Sequence, residues 1–138
     1  NFNYVIKNYP NTDFALDAKF KLDLIDNVLA SKEMYIAKHY MKKKKWIPAV
    51  NRFKNVVTDY ETTVYVEEAL FRLVEIYYAL GLTEESKKYA KLLGYNYLSS
   101  KWYKESYRIF NKNYESPIEK INKKKSNFVI RKFKSIFN

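Results

Sequence analysis

His39 is the single histidine of the chain, and cysteine is absent. Without cysteine there is no thiol nucleophile, no disulfide and no thiolate metal site. His39 stands between Lys38 and Tyr40, one residue off an apolar stripe, so it reads as a surface side chain. A histidine base or ligand needs oriented partners, and no HExxH or paired-ligand spacing supplies them. Two glycines in the whole chain leave no glycine-rich phosphate loop. The acidic pairs Glu67-Glu68 and Glu84-Glu85 stand at the head of apolar runs, where they suit a helix N-terminus. The run Lys42-Lys43-Lys44-Lys45 suits the opposite end. The expectation is therefore a non-enzyme with no cofactor, no metal and no small-molecule substrate. By position alone Asn51 and Arg52 read as ordinary exposed side chains. Asn51 and Arg52 immediately precede the apolar Phe53, so Arg52 should flank a buried stripe with its guanidinium outward. A planar, permanently charged fork suits a carboxylate partner.

These residues need elements to hold them, and the pattern is helical throughout. Gly and Pro are scarce, and apolar residues recur at three-to-four spacing. Residues 1–9 read as the end of a helix closed before Pro10, with Asn11 and Thr12 able to cap the next. From Asp13 to about Lys45 no breaker intervenes, and Ala18, Leu22, Ile25, Leu29, Ile36 and Tyr40 form a stripe with a polar gap near Lys32-Glu33. That predicts one long amphipathic helix. Shorter helices should follow from Trp46, from Thr62-Thr63, from Thr83, from Ser99-Ser100, and from a capping box at Ser116-Pro117-Ile118-Glu119. The expected core includes Leu22, Leu29, Ile36, Tyr40, Ala49, Phe53, Leu73, Ile76 and Tyr77.

The helices repeat. Phe2-x-x-Val5-Ile6-x-x-Tyr9 returns as Phe53-x-x-Val56-Val57-x-x-Tyr60 and, weakened, as Ala90-x-x-Leu93-Gly94-x-x-Tyr97. The first copy starts at residue 2, so the pattern enters mid-repeat and reads as the C-terminal part of something longer. Tyr40, Ala49 and Phe53 keep the spacing of Tyr77, Ser86 and Ala90, with Ala37 and Val74 three residues before each tyrosine. Small residues where two helices cross, and bulky ones between hairpins, follow the logic of the tetratricopeptide repeat. The predicted fold is all-α: a tetratricopeptide-repeat-like solenoid of antiparallel helical hairpins with one extended helix.

The extended helix with Asp17-Ala18, Leu29-Ala30, Glu33 and Ala37-x-x-Tyr40 is followed by Ala49-Val50-Asn51-Arg52, Glu68-Ala69-Leu70, Leu73-Val74-Glu75-x-Tyr77, Leu80-Gly81-Leu82 and Asn96-Tyr97-x-x-Ser100-x-Trp102-Tyr103. This order over about residues 1–110 resembles the BamD (YfiO) family of outer-membrane assembly lipoproteins. The proline usual after the second helix of a repeat survives only as Pro10; Glu61 and Leu98 replace it later. The resemblance implies a non-catalytic scaffold of the outer-membrane β-barrel protein assembly complex, docking the POTRA region of a BamA-like barrel subunit beside other assembly-complex lipoproteins. It implies that Arg52, with Asn51, contacts an acidic residue of the POTRA domain nearest the barrel. It implies a site at the periplasmic face of the outer membrane of a Gram-negative bacterium, with a lipid anchor in a preceding segment. The residues by themselves fit equally a generic tetratricopeptide adaptor that reads a peptide.

Charge divides the chain. Residues 1–100 hold 15 basic and 12 acidic side chains, whereas residues 101–138 hold 11 and 3. Residues 1–115 are expected to form the helical-repeat domain and residues 116–138 a basic amphipathic tail. Such a tail suits four roles: a cap on the open end of the solenoid, a partly disordered segment, a helix in a partner's groove, or a peripheral contact with an anionic membrane. Most aromatics fall on core stripes, which leaves few for base stacking, so no nucleic acid is expected.

Overall fold

A computed structural model describes every residue of the chain except Ser99, Tyr114, Ser116 and Asn138. Among these described residues, seven helices follow in order: α1 (Phe2–Asn8), α2 (Asp13–Lys42), α3 (Trp46–Asp59), α4 (Val66–Ala79), α5 (Thr83–Asn96), α6 (Lys101–Phe110) and α7 (Pro117–Phe137). No strand occurs among the described residues. The architecture is the all-α, tetratricopeptide-like stack that the periodicity predicts. α2 packs on α3 and α4 on α5, and α3 joins the two hairpins by packing on α4. α6 lies against both α4 and α5, and α1 against α2.

The crossings are made by small residues. Ala37, Ala49, Val74 and Ser86 are all fully buried. Ser86 can sit in an apolar crossing because its hydroxyl donates to the Val74 carbonyl at 2.7 Å. Phe53, Leu73 and Ile76 are buried as expected, in one cluster with Met34, Val56, Leu70, Phe71, Leu93 and Tyr103.

The long helix departs from its expected buried stripe. Ala15, Ala18, Ala30, Met34 and Ala37 face inward. Leu22, Ile36, Tyr40 and Tyr77 are only half-buried, and Leu29 and Ile25 are exposed. Two causes explain this. The close crossing with α3 selects the small stripe Ala30–Met34–Ala37, one residue round from Leu29. And α2 runs 30 residues against the 14 of α3 and the 7 of α1, so its first half has little to pack on. Leu16, Phe20, Leu24 and Val28, four residues apart, form an exposed apolar row there.

The caps are mixed. Thr12 accepts from the Ala15 amide and Ser100 from the Trp102 amide, as their sequence positions suggest. Thr62 and Thr63 do not cap α4. Its N-cap is Tyr65, and the buried Thr63 hydroxyl instead donates to the Tyr60 carbonyl. Thr83 is the first residue of α5, not its cap, which is Leu82. Ser99, and the Ser116 of the expected capping box, lie outside the described residues. Gly81 ends α4 with φ 78°, where the Gly81 amide donates to Tyr78 and the Leu82 amide to Tyr77. This paired bonding is the glycine-terminated stop expected there.

Candidate functional site: the helix faces around Arg52 and Arg72

Arg52 sits in the middle of α3, one residue before the buried Phe53, so its stem flanks the core. Its guanidinium does not simply point outward. Nη1 donates to Glu33 Oε1 on α2 at 2.8 Å. The arginine side chain keeps 39% of its exposure, while Glu33 keeps 19%. The other Glu33 oxygen, Oε2, is buried and has no partner among the described residues. α3 thus presents a guanidinium steered at one corner by a half-buried carboxylate, with the neighbouring Asn51 exposed beside it. A steered fork loses less freedom when a second acceptor arrives. In the sequence Glu33 stood in the polar gap of the long helix's stripe and among the residues that carry the family resemblance, with nothing to mark its partner. That gap marks where α2 turns a charge toward α3.

A second set of charges links α2, α4 and α6. Lys38 on α2 donates to Glu68 Oε1 on α4 at 2.9 Å. Arg72 on α4 bonds Glu75 at 2.8 Å and reaches Glu68 at 3.4 Å. Its guanidinium carbon lies 5.4 Å from the Phe71 ring centre and 5.6 Å from that of Trp102 on α6. Arg72 Nε is buried without a hydrogen-bond partner among the described residues. Glu68 is thus more than a helix-start charge, since it ties two hairpins together. A shallow depression beside this network is lined by Met41, Trp46, Lys38, Lys42, Lys44 and Arg72. The exposed His39 lines a neighbouring one with Met34, Tyr35 and Tyr65. Among the described residues, no group of His, Cys, Asp or Glu gathers to hold a metal ion.

At the junction of α3, α4 and α5, Tyr77 and Tyr89 stack with ring centres 5.5 Å apart, and the Lys54 ammonium lies 5.9 Å from the Tyr77 ring. A hydrogen bond to Tyr77 pushes Lys54 above its ordinary value, against a smaller opposing effect of burial. Burial pushes the Tyr89 phenol up. Burial does the same for Tyr107 on α6.

The family model described as "YfiO: Outer membrane lipoprotein" matches residues 1–93. That span holds the charged side chains of both networks and all of the two hairpins except the last three residues of α5. An outer membrane protein assembly factor BamD from Rickettsia prowazekii is 50% identical over 115 residues, covering 83% of this chain and 45% of that protein. A protein of the same name from Caulobacter vibrioides is 45% identical over 109 residues, covering 79% of this chain and 36% of that protein. A third, from Haemophilus influenzae, is 32% identical over 96 residues, covering 70% and 37%. The chain spans less than half the length of these relatives. The hairpin stack, the extended second helix and the matched span agree, and the chain belongs to the YfiO outer membrane lipoprotein family.

Proposed function

We propose that this chain is the repeat-bearing scaffold segment of an outer-membrane protein assembly factor, and that it docks a POTRA-type domain of a barrel subunit through α3. The observation that carries the proposal is the Arg52–Glu33 pair. It fixes a partly exposed guanidinium on the helix face that the BamD resemblance points to. Arg52 supplies the charged contact, Asn51 an adjacent amide, and Glu33 holds the fork in place. A half-exposed arginine with one settled partner is the kind of side chain that becomes an interface anchor once water is excluded. Nothing in this role requires catalysis. The relatives' description as outer membrane lipoproteins and assembly factors supports a place at the periplasmic face of the outer membrane of a Gram-negative bacterium, beside other assembly-complex lipoproteins.

The network of Lys38, Glu68, Arg72 and Trp102 supports a second reading, a tetratricopeptide adaptor that receives a peptide across α2, α4 and α6. The two readings separate by mutation. Arg52→Glu alone would set two carboxylates against each other and confuse folding with binding. Exchanging both charges, Glu33→Arg with Arg52→Glu in the full-length protein, restores the internal pair while reversing the outward charge. The expected result is a thermal midpoint close to that of the parent and at least about tenfold weaker binding to the POTRA fragment, as for loss of a charged interface anchor. Parental binding by the exchanged protein removes Arg52 from the interface.

A further inference from the structure

Among the described residues, α7 is the one long helix with no buried residue. No other helix packs along it among the described residues. It therefore does not cap the stack. Among the described residues its start is tied down by ion pairs from Lys104 on α6 to Glu119 and from Lys123 to Glu115. It lies wholly beyond the span matched by the family model.

At about 100° per residue, its side chains sort into two faces. Ile118, Ile121, Phe128, Val129, Phe133 and Ile136 share one, and all are exposed, while Ile130 and Phe137 fall between the two faces. Lys120, Lys123, Lys124, Arg131 and Lys134 share the other. The helix holds seven basic side chains against one acidic, Glu119. No helix of the chain is long and apolar enough to cross a membrane among the described residues. A helix with a broad apolar face, a strongly basic opposite face and too many charges to span is built to lie in the plane of a bilayer surface.

We propose that α7 binds the surface of an anionic phospholipid bilayer, with its phenylalanines among the upper acyl chains and its basic face at the phosphates. Charge complementarity favours this occupant, since each basic side chain near an anionic surface adds attraction. Two lysines decide between a bilayer and the apolar groove of a protein. Lys125 and Lys132 project within the apolar arc, and the Lys132 ammonium lies 5.9 Å from the Phe128 ring centre. A dry protein groove would strip their charge of water at high cost. At a bilayer surface their four-carbon stems lie among the chains while the ammonium groups reach the headgroups. Phe128 and Phe133 supply the bulk that inserts, and Phe137, at the edge of this face, packs its ring 4.7 Å from that of Phe133.

The test is co-sedimentation of the whole chain with vesicles of phosphatidylcholine, with and without phosphatidylglycerol. Binding should require phosphatidylglycerol and weaken steeply as salt rises. The triple reversal Lys120→Glu, Lys124→Glu, Arg131→Glu should lower partitioning by about 100-fold or more. The pair Phe128→Asp, Phe133→Asp should lower it at least about tenfold through lost insertion. None of these side chains is buried, so the thermal midpoint should stay put and report that the stack is intact. Absence of binding to phosphatidylglycerol vesicles at low salt, as a helix meant for an acidic protein would show, overturns the proposal. So does undiminished binding of either variant.

Discussion

The hairpins α2–α3 and α4–α5 are two versions of one design, offset by 37 residues. Met34 corresponds to Phe71, Ala37 to Val74, Ala49 to Ser86, Phe53 to Ala90 and Val57 to Gly94. Most of these positions are buried in both hairpins. The chemistry at each differs, yet volume is traded locally. Where α3 and α4 put Val57 and Val66 at the core, α5 and α6 put Gly94 and Tyr103. The same offset sets Glu33 and Arg52 against Leu70 and Tyr89. The second hairpin closes without an ion pair at those positions. Packing of the unit therefore does not demand one, and the Arg52–Glu33 pair is an addition to the first hairpin alone.

The largest way to break this parallel is Phe53→Ala. Phe53 is fully buried at the centre of the cluster, whereas its counterpart is already Ala90 in a site built for a methyl. The truncation should cost ~3–5 kcal/mol by transfer and cavity terms. Chemical denaturation of the chain reads this directly. A loss below about 1 kcal/mol would mean that the junction collapses to fill the space. The next largest effect belongs to the second hairpin. A Cβ on Gly94 would meet Tyr103 Cε2 at 2.4 Å, and Tyr103 is itself buried. Gly94→Ala should destabilise by ~1–3 kcal/mol, although alanine is the better helix former. Pairing it with Tyr103→Val, the counterpart side chain, should recover part of the loss if the two hairpins truly exchange volume.

How far the sequence reveals these features follows from their range. Helix order, the length of α2 and the buried Phe53, Leu73 and Ile76 follow from local periodicity, which survives in any context. The inward stripe of α2 was not legible. Apolar residues surround that helix, and the choice of Ala30, Met34 and Ala37 over Leu29 depends on which neighbour comes close. Arg52 was legible as a flanking residue of a stripe. Its partner Glu33 lies 19 residues away on another helix, and only the crossing of α2 with α3 brings them together. The network of Lys38, Glu68 and Arg72 escaped for the same reason, since Glu68 alone looks like a helix-start charge.

The turns that close the two hairpins share one backbone shape, although their side chains, Lys43-Lys44-Lys45 and Leu80-Gly81-Leu82, do not match. Lys44 occupies the position of Gly81, and each has positive φ, 57° and 78°. Their hydrogen bonds match: Lys44 and Lys45 donate to Met41 and Tyr40, as Gly81 and Leu82 do to Tyr78 and Tyr77. A lysine in the left-handed region is strained where glycine is not. Lys44→Gly should therefore stabilise by ~0.5–1 kcal/mol, and Gly81→Ala should cost ~1 kcal/mol through the backbone alone, because nothing stands within 4 Å of its added methyl. Thermal melts of the two single variants give the comparison. A destabilised Lys44→Gly protein would show that the lysine holds the turn by contacts that outweigh its strain.

The smallest expected difference appears at alkaline pH and should fall on the second hairpin. There Tyr89 stands where the first hairpin carries Arg52, stacked on Tyr77 beside the Lys54 ammonium. Burial raises the Tyr89 phenol above its ordinary 10.0, so the folded chain holds that proton longer than the unfolded chain does. Lys54 is raised above its ordinary 10.5, chiefly by its hydrogen bond to Tyr77, with the same consequence. For both groups the unfolded state binds fewer protons once pH passes the unfolded value, so stability must fall as pH rises. The contribution is whole below about pH 10 and is lost progressively above it. Denaturant midpoints should thus be flat near neutrality on account of these groups and decline beyond pH 10. Tyr89→Phe removes the partly buried phenol and should flatten the first part of the decline, while Lys54→Met should flatten the later part. An alkaline decline of unchanged slope in both variants would place its origin outside this junction, and would leave Tyr89 as a stacking residue with no electrostatic consequence.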